Sequence, residues 1–192
     1  MKRWHLGISA AGLLATASAA LAHVVDTTGV GFASGMLHPL SGLDHMLAML
    51  AVGVWAGQMG GRALWRVPAT FVSVMLIGGA VGLSGIPLAP VDAGIAASLV
   101  VLGILIATSS RLPLTASVSL VGLFAIFHGH AHGTEIPLAA SPALYALGFV
   151  VATGALHLVG MALGVARGWN ARLMRVGGLA VLAAGTSLLA RI

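Results

Sequence analysis

The 192-residue sequence contains no cysteine, which removes disulfides, thiolate metal ligands and cysteine nucleophiles at once. Charge is almost as scarce. Asp, Glu, Lys and Arg make up 7% of the chain, against roughly a quarter of a soluble globular domain, so a fold covered by water is excluded. Aromatic residues amount to 5%, with a single tyrosine, and the nine Lys/Arg set against four Asp/Glu form no basic run. Nucleic-acid binding needs a basic stripe on a folded face and is a poor reading here. What is present instead is apolar: 59% hydrophobic residues, 27 glycines and a mean hydropathy of +1.06. Eight histidines outnumber the four acids two to one, and that ratio is the unusual feature.

The N-terminus carries Lys2 and Arg3, an apolar stretch from Leu6 to Ala19, and the small-residue sequence Ala20-Leu21-Ala22. This is the pattern of a secretory signal peptide over residues 1–22, cut after Ala22. The mature chain of residues 23–192 would then start at His23 on the outer side. An uncleaved first helix gives the same orientation. Taking 22 residues from 192 leaves 170. Six spans of about 20 residues fill about 120 of these, so only short connections fit besides. Gly, Pro and Arg punctuation places the spans at 39–59, 65–85, 91–109, 112–130, 142–166 and 171–190. The expected fold is therefore all-α, a polytopic membrane helix bundle with six transmembrane helices in a lipid bilayer. The glycines suit close helix packing in lipid.

Basic residues sort by side. Arg62 and Arg66 lie in or beside the first connection, Arg111 in the third, and Arg167, Arg172 and Arg175 in or beside the fifth, whereas the second and fourth have only Asp92 and Glu135. Arg191 alone lies on the opposite side. By the positive-inside rule the odd connections are cytoplasmic and the mature N-terminus is periplasmic.

Within the spans, polar residues cluster twice. In HPLSGLDHMLAM (38–49), Pro39 disfavours helical conformation at His38 and suits the first turn of a helix itself. Asp44 and His45 then lie roughly 8–9 Å into the span. A carboxylate there costs about 2.5–3.5 kcal/mol on insertion scales, and the Arg residues that fall inside the span limits (Arg66, Arg172 and Arg175) stand at the opposite ends, so no Lys or Arg within a span neutralises it. A bound cation, a proton, or hydrogen bonds from His45 and the helix N-terminus could compensate it. Met49 shares the face of His45. In FHGHAHGTEIP (127–137), His128 and His132 share a face if the helix persists past Gly129 and Gly133, and His130 points the other way. The alternation of spans brings both clusters to one side. His38, Asp44, His45, His128 and His132 together suit nickel, cobalt, zinc or oxidised copper better than magnesium or calcium. The alternative is that these histidines cap helices or bond buried backbone. His157, in the inner half of the fifth span with Met161 one turn on, either relays an ion inward or bonds across helices as a neutral imidazole.

The segments HPLSGLDHMLAMLAVGVWA (38–56) and FHGHAHGTEIP (127–137) resemble the two signature segments of the HupE/UreJ family of bacterial nickel transport proteins, and the resemblance extends over essentially the whole chain. It points to His38, Asp44, His45, His128, His132 and Glu135 as metal residues, with His130 at a variable position. It implies a secondary permease in the bacterial inner membrane that carries Ni²⁺, sometimes cobalt, without nucleotide hydrolysis or an organic cofactor. A cobalt or copper transporter and a membrane metal-binding protein that does not translocate are the alternatives, and homo-oligomerisation stays open. An enzyme is the weakest reading. Gly82-Leu83-Ser84-Gly85 matches the GxSG string of rhomboid proteases, but four residues in a glycine-rich chain are explained by chance, and no HExxH occurs.

Overall fold

The computed structural model describes residues 31–136, 141–166 and 171–192. The expected signal peptide over residues 1–22, His23, Pro137 and Arg167 lie outside the described residues. Among the described residues there are seven helices and no strand: α1 (Phe32–Ser41), α2 (Leu43–Met59), α3 (Ala63–Leu83), α4 (Val91–Ala107), α5 (Leu114–Thr134), α6 (Pro142–Val165) and α7 (Ala171–Leu189).

Four of them, α3, α5, α6 and α7, are long and apolar enough to cross a membrane. The α1–α2 pair passes the same test jointly as a span bent by 88°, and α4 is a shorter apolar helix. The six uniform spans expected from the sequence therefore become four long helices, one broken pair and one short helix.

The broken pair corrects the reading of Pro39. His38 and Pro39 both lie inside α1, and the chain leaves helical geometry at Gly42 (φ −100°, ψ 115°). The local preference of a residue before proline is overridden. His38 Nε2–H makes a long-range bond to Glu135 Oε2 (2.8 Å), and locally the Ser41 hydroxyl donates to the His38 carbonyl (2.6 Å). In consequence Asp44 and His45 stand in the first turn of α2, at the helix break, rather than one and a half turns into a continuous span.

Helix pairs are set by glycine. On α3 and α5, Gly78 faces the Ile126 backbone, Gly82 that of His130, and Gly129 and Gly133 press on Met75 and Gly79. The pairs keep nearly constant spacing along the chain, so α3 and α5 run parallel. Gly129 and Gly133 thus do not break α5; they let α3 approach it, and the helix continues to Thr134. The α2–α6 seam is built likewise, with Gly53 against His157 and Gly160, and Gly57 against Met161 and Gly164. Close backbone approach gains dispersion and polar contacts where lipid gives no hydrophobic drive between helices. On α4 and α7 the order is reversed, Gly103 meeting Leu182 and Gly185 meeting Val100, so these two are antiparallel.

The resulting bundle has two distinct ends. At one, Trp55 Nε1–H donates to the Ser110 carbonyl (2.9 Å), Gln58 Nε2–H to the Ile106 carbonyl (3.3 Å), and the Ser117 hydroxyl to Met59 Sδ (3.5 Å). Arg62 and Arg111 are within three residues of these contacts in sequence. At the other end Asp44, Asp92 and Arg191 line one cavity of about 200 Å³, next to His38, His132 and Glu135. The core between the ends is apolar and includes Met49, Trp55, Phe71, Met75 and Phe149.

The seam makes a direct prediction. Gly129→Leu places its side chain on the Met75 carbonyl, and folded protein recovered after detergent solubilisation should fall severely, while Gly154→Ala and Gly177→Ala, where nothing lies within 4 Å, should match the parent. Equal recovery of Gly129→Leu in size-exclusion profiles would show that the close α3–α5 contact is dispensable.

Candidate metal centre

α1, the start of α2 and the end of α5 meet at the acidic end of the bundle. His38 projects from α1, Asp44 and His45 from α2, and His128, His132 and Glu135 from the last two turns and C-cap of α5. The rings form a chain: His38 to His132, 4.9 Å between centroids; His132 to His45, 4.2 Å; His45 to His128, 5.0 Å. Glu135, with about half of its side chain exposed, and the partly exposed His38 form its open end, while His132, His45 and His128 are buried, His128 fully.

Proton placement follows from what each neighbour can accept. Asp44 Oδ1 takes the His45 backbone N–H (2.9 Å) and the His45 Nδ1–H (3.0 Å), since an ionised carboxylate only accepts. His45 Nε2 then carries a free lone pair, and it is buried without a partner. Of the three ways to compensate Asp44, hydrogen bonds from His45 and the helix start are the ones observed. A carboxylate that orients an imidazole and raises its basicity is a common outer-sphere device in metal sites, so Asp44 positions His45. Gly42 is required beside it, because a Cβ there would stand 2.9 Å from Asp44 Oδ1 and 3.2 Å from His45 Nδ1.

His128 is set by a residue that the sequence reading missed. The Ser98 hydroxyl donates to the Ile95 carbonyl (2.6 Å), so His128 Nε2–H donates to Ser98 Oγ (3.0 Å). Its Nδ1 is left buried and unpaired. A serine in the apolar stretch of α4 beyond Asp92 was the only signal, and it did not say which helix Ser98 faces. Tyr145 and Phe149 of α6 were missed too; they wall the site at 5.6 Å from His38 and 4.2 Å from His132.

The three histidines of α5 divide as helical phase predicts. His128 and His132 face His45, whereas His130 Nε2–H donates to the Ile86 carbonyl (2.8 Å) beyond the end of α3. His130 is a satisfied structural histidine. By contrast neither ring nitrogen of His132 has a hydrogen-bond partner. A buried polar group left unpaired costs about 1–3 kcal/mol, and here several adjoin.

Among the described residues one trio of ligand-type atoms lies mutually within 4.8 Å, belonging to His38, His132 and Glu135. Divalent ions bind imidazole nitrogen at about 2.0–2.1 Å, so opposite ligands stand about 4.2 Å apart. The trio is thus within side-chain rotation of the spacing one ion would require, with the His38–Glu135 bond opened. His45 adjoins the trio through His132. His128 stands one ring further in, and Asp44 acts through His45. His157 is apart from this group, on α6 and deeper.

These observations define a class first: a polytopic helical membrane protein with a buried, histidine-lined polar centre at one end of its bundle. The chain belongs to the HupE/UreJ family, whose members are metal transport proteins and not enzymes, and the family described as "HupE / UreJ protein" matches residues 11–188. It is similar to Protein HupE of Rhizobium leguminosarum bv. viciae, with 44% identity over 178 residues covering 92% of this chain and 93% of that protein. No solved structure matches.

The division of the α5 histidines is testable. His130→Ala leaves the Ile86 carbonyl without its donor and should lower stability by about 1 kcal/mol, seen as a reduced Tm, while divalent-ion binding in detergent persists. His132→Ala should do the reverse, losing binding with little change in Tm. Loss of binding in His130→Ala at unchanged Tm would require a different ligand set.

Proposed function

We propose that the protein is a secondary permease that carries a divalent transition-metal ion, nickel, from periplasm to cytoplasm, through a centre formed by His38, His45, His128, His132 and Glu135 with Asp44 orienting His45. The observation that carries this reading is the run of buried imidazoles whose free nitrogens have no protein partner. Structural histidines are satisfied, as His130 is; ligands are kept open. The donor set is rich in nitrogen, which suits nickel or cobalt and disfavours magnesium and calcium. The relative is named HupE, and the family is one of nickel or cobalt transport.

The membrane reading has the α1–α2 pair as the first of six crossings and the short α4 as the third, following a signal peptide over residues 1–22. What supports the orientation is the sorting of charge in the bundle. Arg62, Arg66, Arg111, Arg172 and Arg175 gather toward one end, which positive-inside bias makes cytoplasmic. The histidine centre at the other end then meets the periplasm in the bacterial inner membrane. Single cysteines at Gly61 and Asp92 of this cysteine-free chain should differ in labelling by an impermeant maleimide in spheroplasts, Asp92→Cys reacting and Gly61→Cys not. The opposite pattern would invert the orientation and place the histidine centre on the cytoplasmic side.

Transport itself is tested in proteoliposomes with radioactive nickel. Uptake should proceed without ATP and reverse when the nickel gradient is reversed. His45→Ala and His132→Ala should abolish it, and Asp44→Asn should weaken affinity about 10–100-fold, the usual cost of losing an orienting partner. Parental uptake at limiting nickel in all three variants would overturn the site.

A further inference from the structure

His157 lies in the inner half of α6, 2% exposed, and neither of its ring nitrogens has a hydrogen-bond partner. The structural role open to such a residue, a bond across helices, is therefore not made. Its surroundings are specific. One turn outward on the same face of α6, the fully buried Thr153 hydroxyl donates to Met49 Sδ (3.4 Å) across the α2–α6 seam. Met49 is itself one turn inward of His45 on α2. The seam is close at this level because Gly53 faces the His157 backbone. Phe71 of α3 stands edge-on to His157 at 5.3 Å and 5.6 Å from His128, so one ring adjoins both histidines.

We propose that His157, together with the Met49 thioether and the Thr153 hydroxyl, forms a second, interior ion station that accepts a transition-metal ion from the outer histidines and releases it inward. This rests on the transport reading above and extends it. The order of donors is continuous: His45 and Met49 are one turn apart on α2, Thr153 is across from Met49, and His157 is one turn further in, each turn about 6 Å of helix rise. The donors are imidazole nitrogen, thioether sulfur and hydroxyl oxygen, a neutral set that accepts borderline transition-metal ions and not magnesium or calcium. With no carboxylate in the set and nothing orienting the imidazole, the ion is held weakly. A transit station requires that, since an ion must be able to leave as well as enter. The free nitrogens of His157 are thereby explained, and so is a methionine turned to a threonine in the heart of an apolar seam.

The test separates binding from passage, with Ni²⁺ as the probe. Tag-free His157→Ala in detergent should keep its outer-site affinity within about twofold, a difference below 1 kcal/mol. In proteoliposomes the same variant should lose uptake by at least about tenfold, the scale of a lost metal-site partner. His157→Cys, which restores a ligand, should recover uptake, whereas His157→Asn, which restores only hydrogen bonding, should not. Met49→Leu conserves volume, so it reports on sulfur even if His157→Ala folds poorly. It should slow uptake in the parent and in the His157→Cys background, and have no further effect in His157→Asn, where the station is already lost. Undiminished uptake in His157→Ala, or rescue by Asn equal to that by Cys, overturns the station while leaving the outer site standing. A parent protein that binds Ni²⁺ and takes up none overturns the permease and the station together.

Discussion

A buried imidazole nitrogen must either find a partner or be kept free for one that comes and goes. Leaving it free costs about 1–3 kcal/mol, and no Lys or Arg stands within four residues of the buried histidines in sequence to supply a fixed cation nearby. His130 meets the first condition through the Ile86 carbonyl. His45, His128, His132 and His157 do not, each retaining at least one unpaired buried nitrogen. The rest of the architecture reads as a way to hold these rings together in that state.

Holding them requires helices that approach unusually closely, and the glycines provide it. Gly129 and Gly133 seat α5 on α3 and thereby fix the rotation at which His128 and His132 face inward, while Gly53, Gly57, Gly160 and Gly164 seat α2 on α6. The break at Gly42 adds a helix start beside the site, where Asp44 can accept both the backbone and the ring N–H of His45. Packing, helix termination and proton placement thus act on the same few atoms. The metal reading rests on that arrangement more than on any one residue type, because open nitrogen donors favour transition-metal ions over magnesium and calcium.

Much of this could be read from the sequence. The 3.6-residue period separated His130 from His128 and His132, and the charge of the connections anticipated which groups share an end. Asp44 and His45 were visible as polar residues out of place. The helix break was not legible, because the preference of a residue before proline put the boundary at His38, whereas α1 runs through it with His38 bonded to Glu135. Nor was Ser98 legible as the partner of His128, since a lone serine in an apolar helix does not reveal its facing. For Asp44 the sequence left a cation, a proton and hydrogen bonds from His45 open, and the two bonds to His45 are the ones the fold makes.

The claim that the free imidazole nitrogens are ligands is tested most directly by X-ray absorption at the nickel edge on tag-free, detergent-solubilised protein loaded with one equivalent of Ni²⁺. The account predicts multiple-scattering features of at least two imidazoles on the bound ion, diminished in His132→Ala. An ion coordinated by oxygen alone, with a spectrum that His132→Ala leaves unchanged, would contradict it.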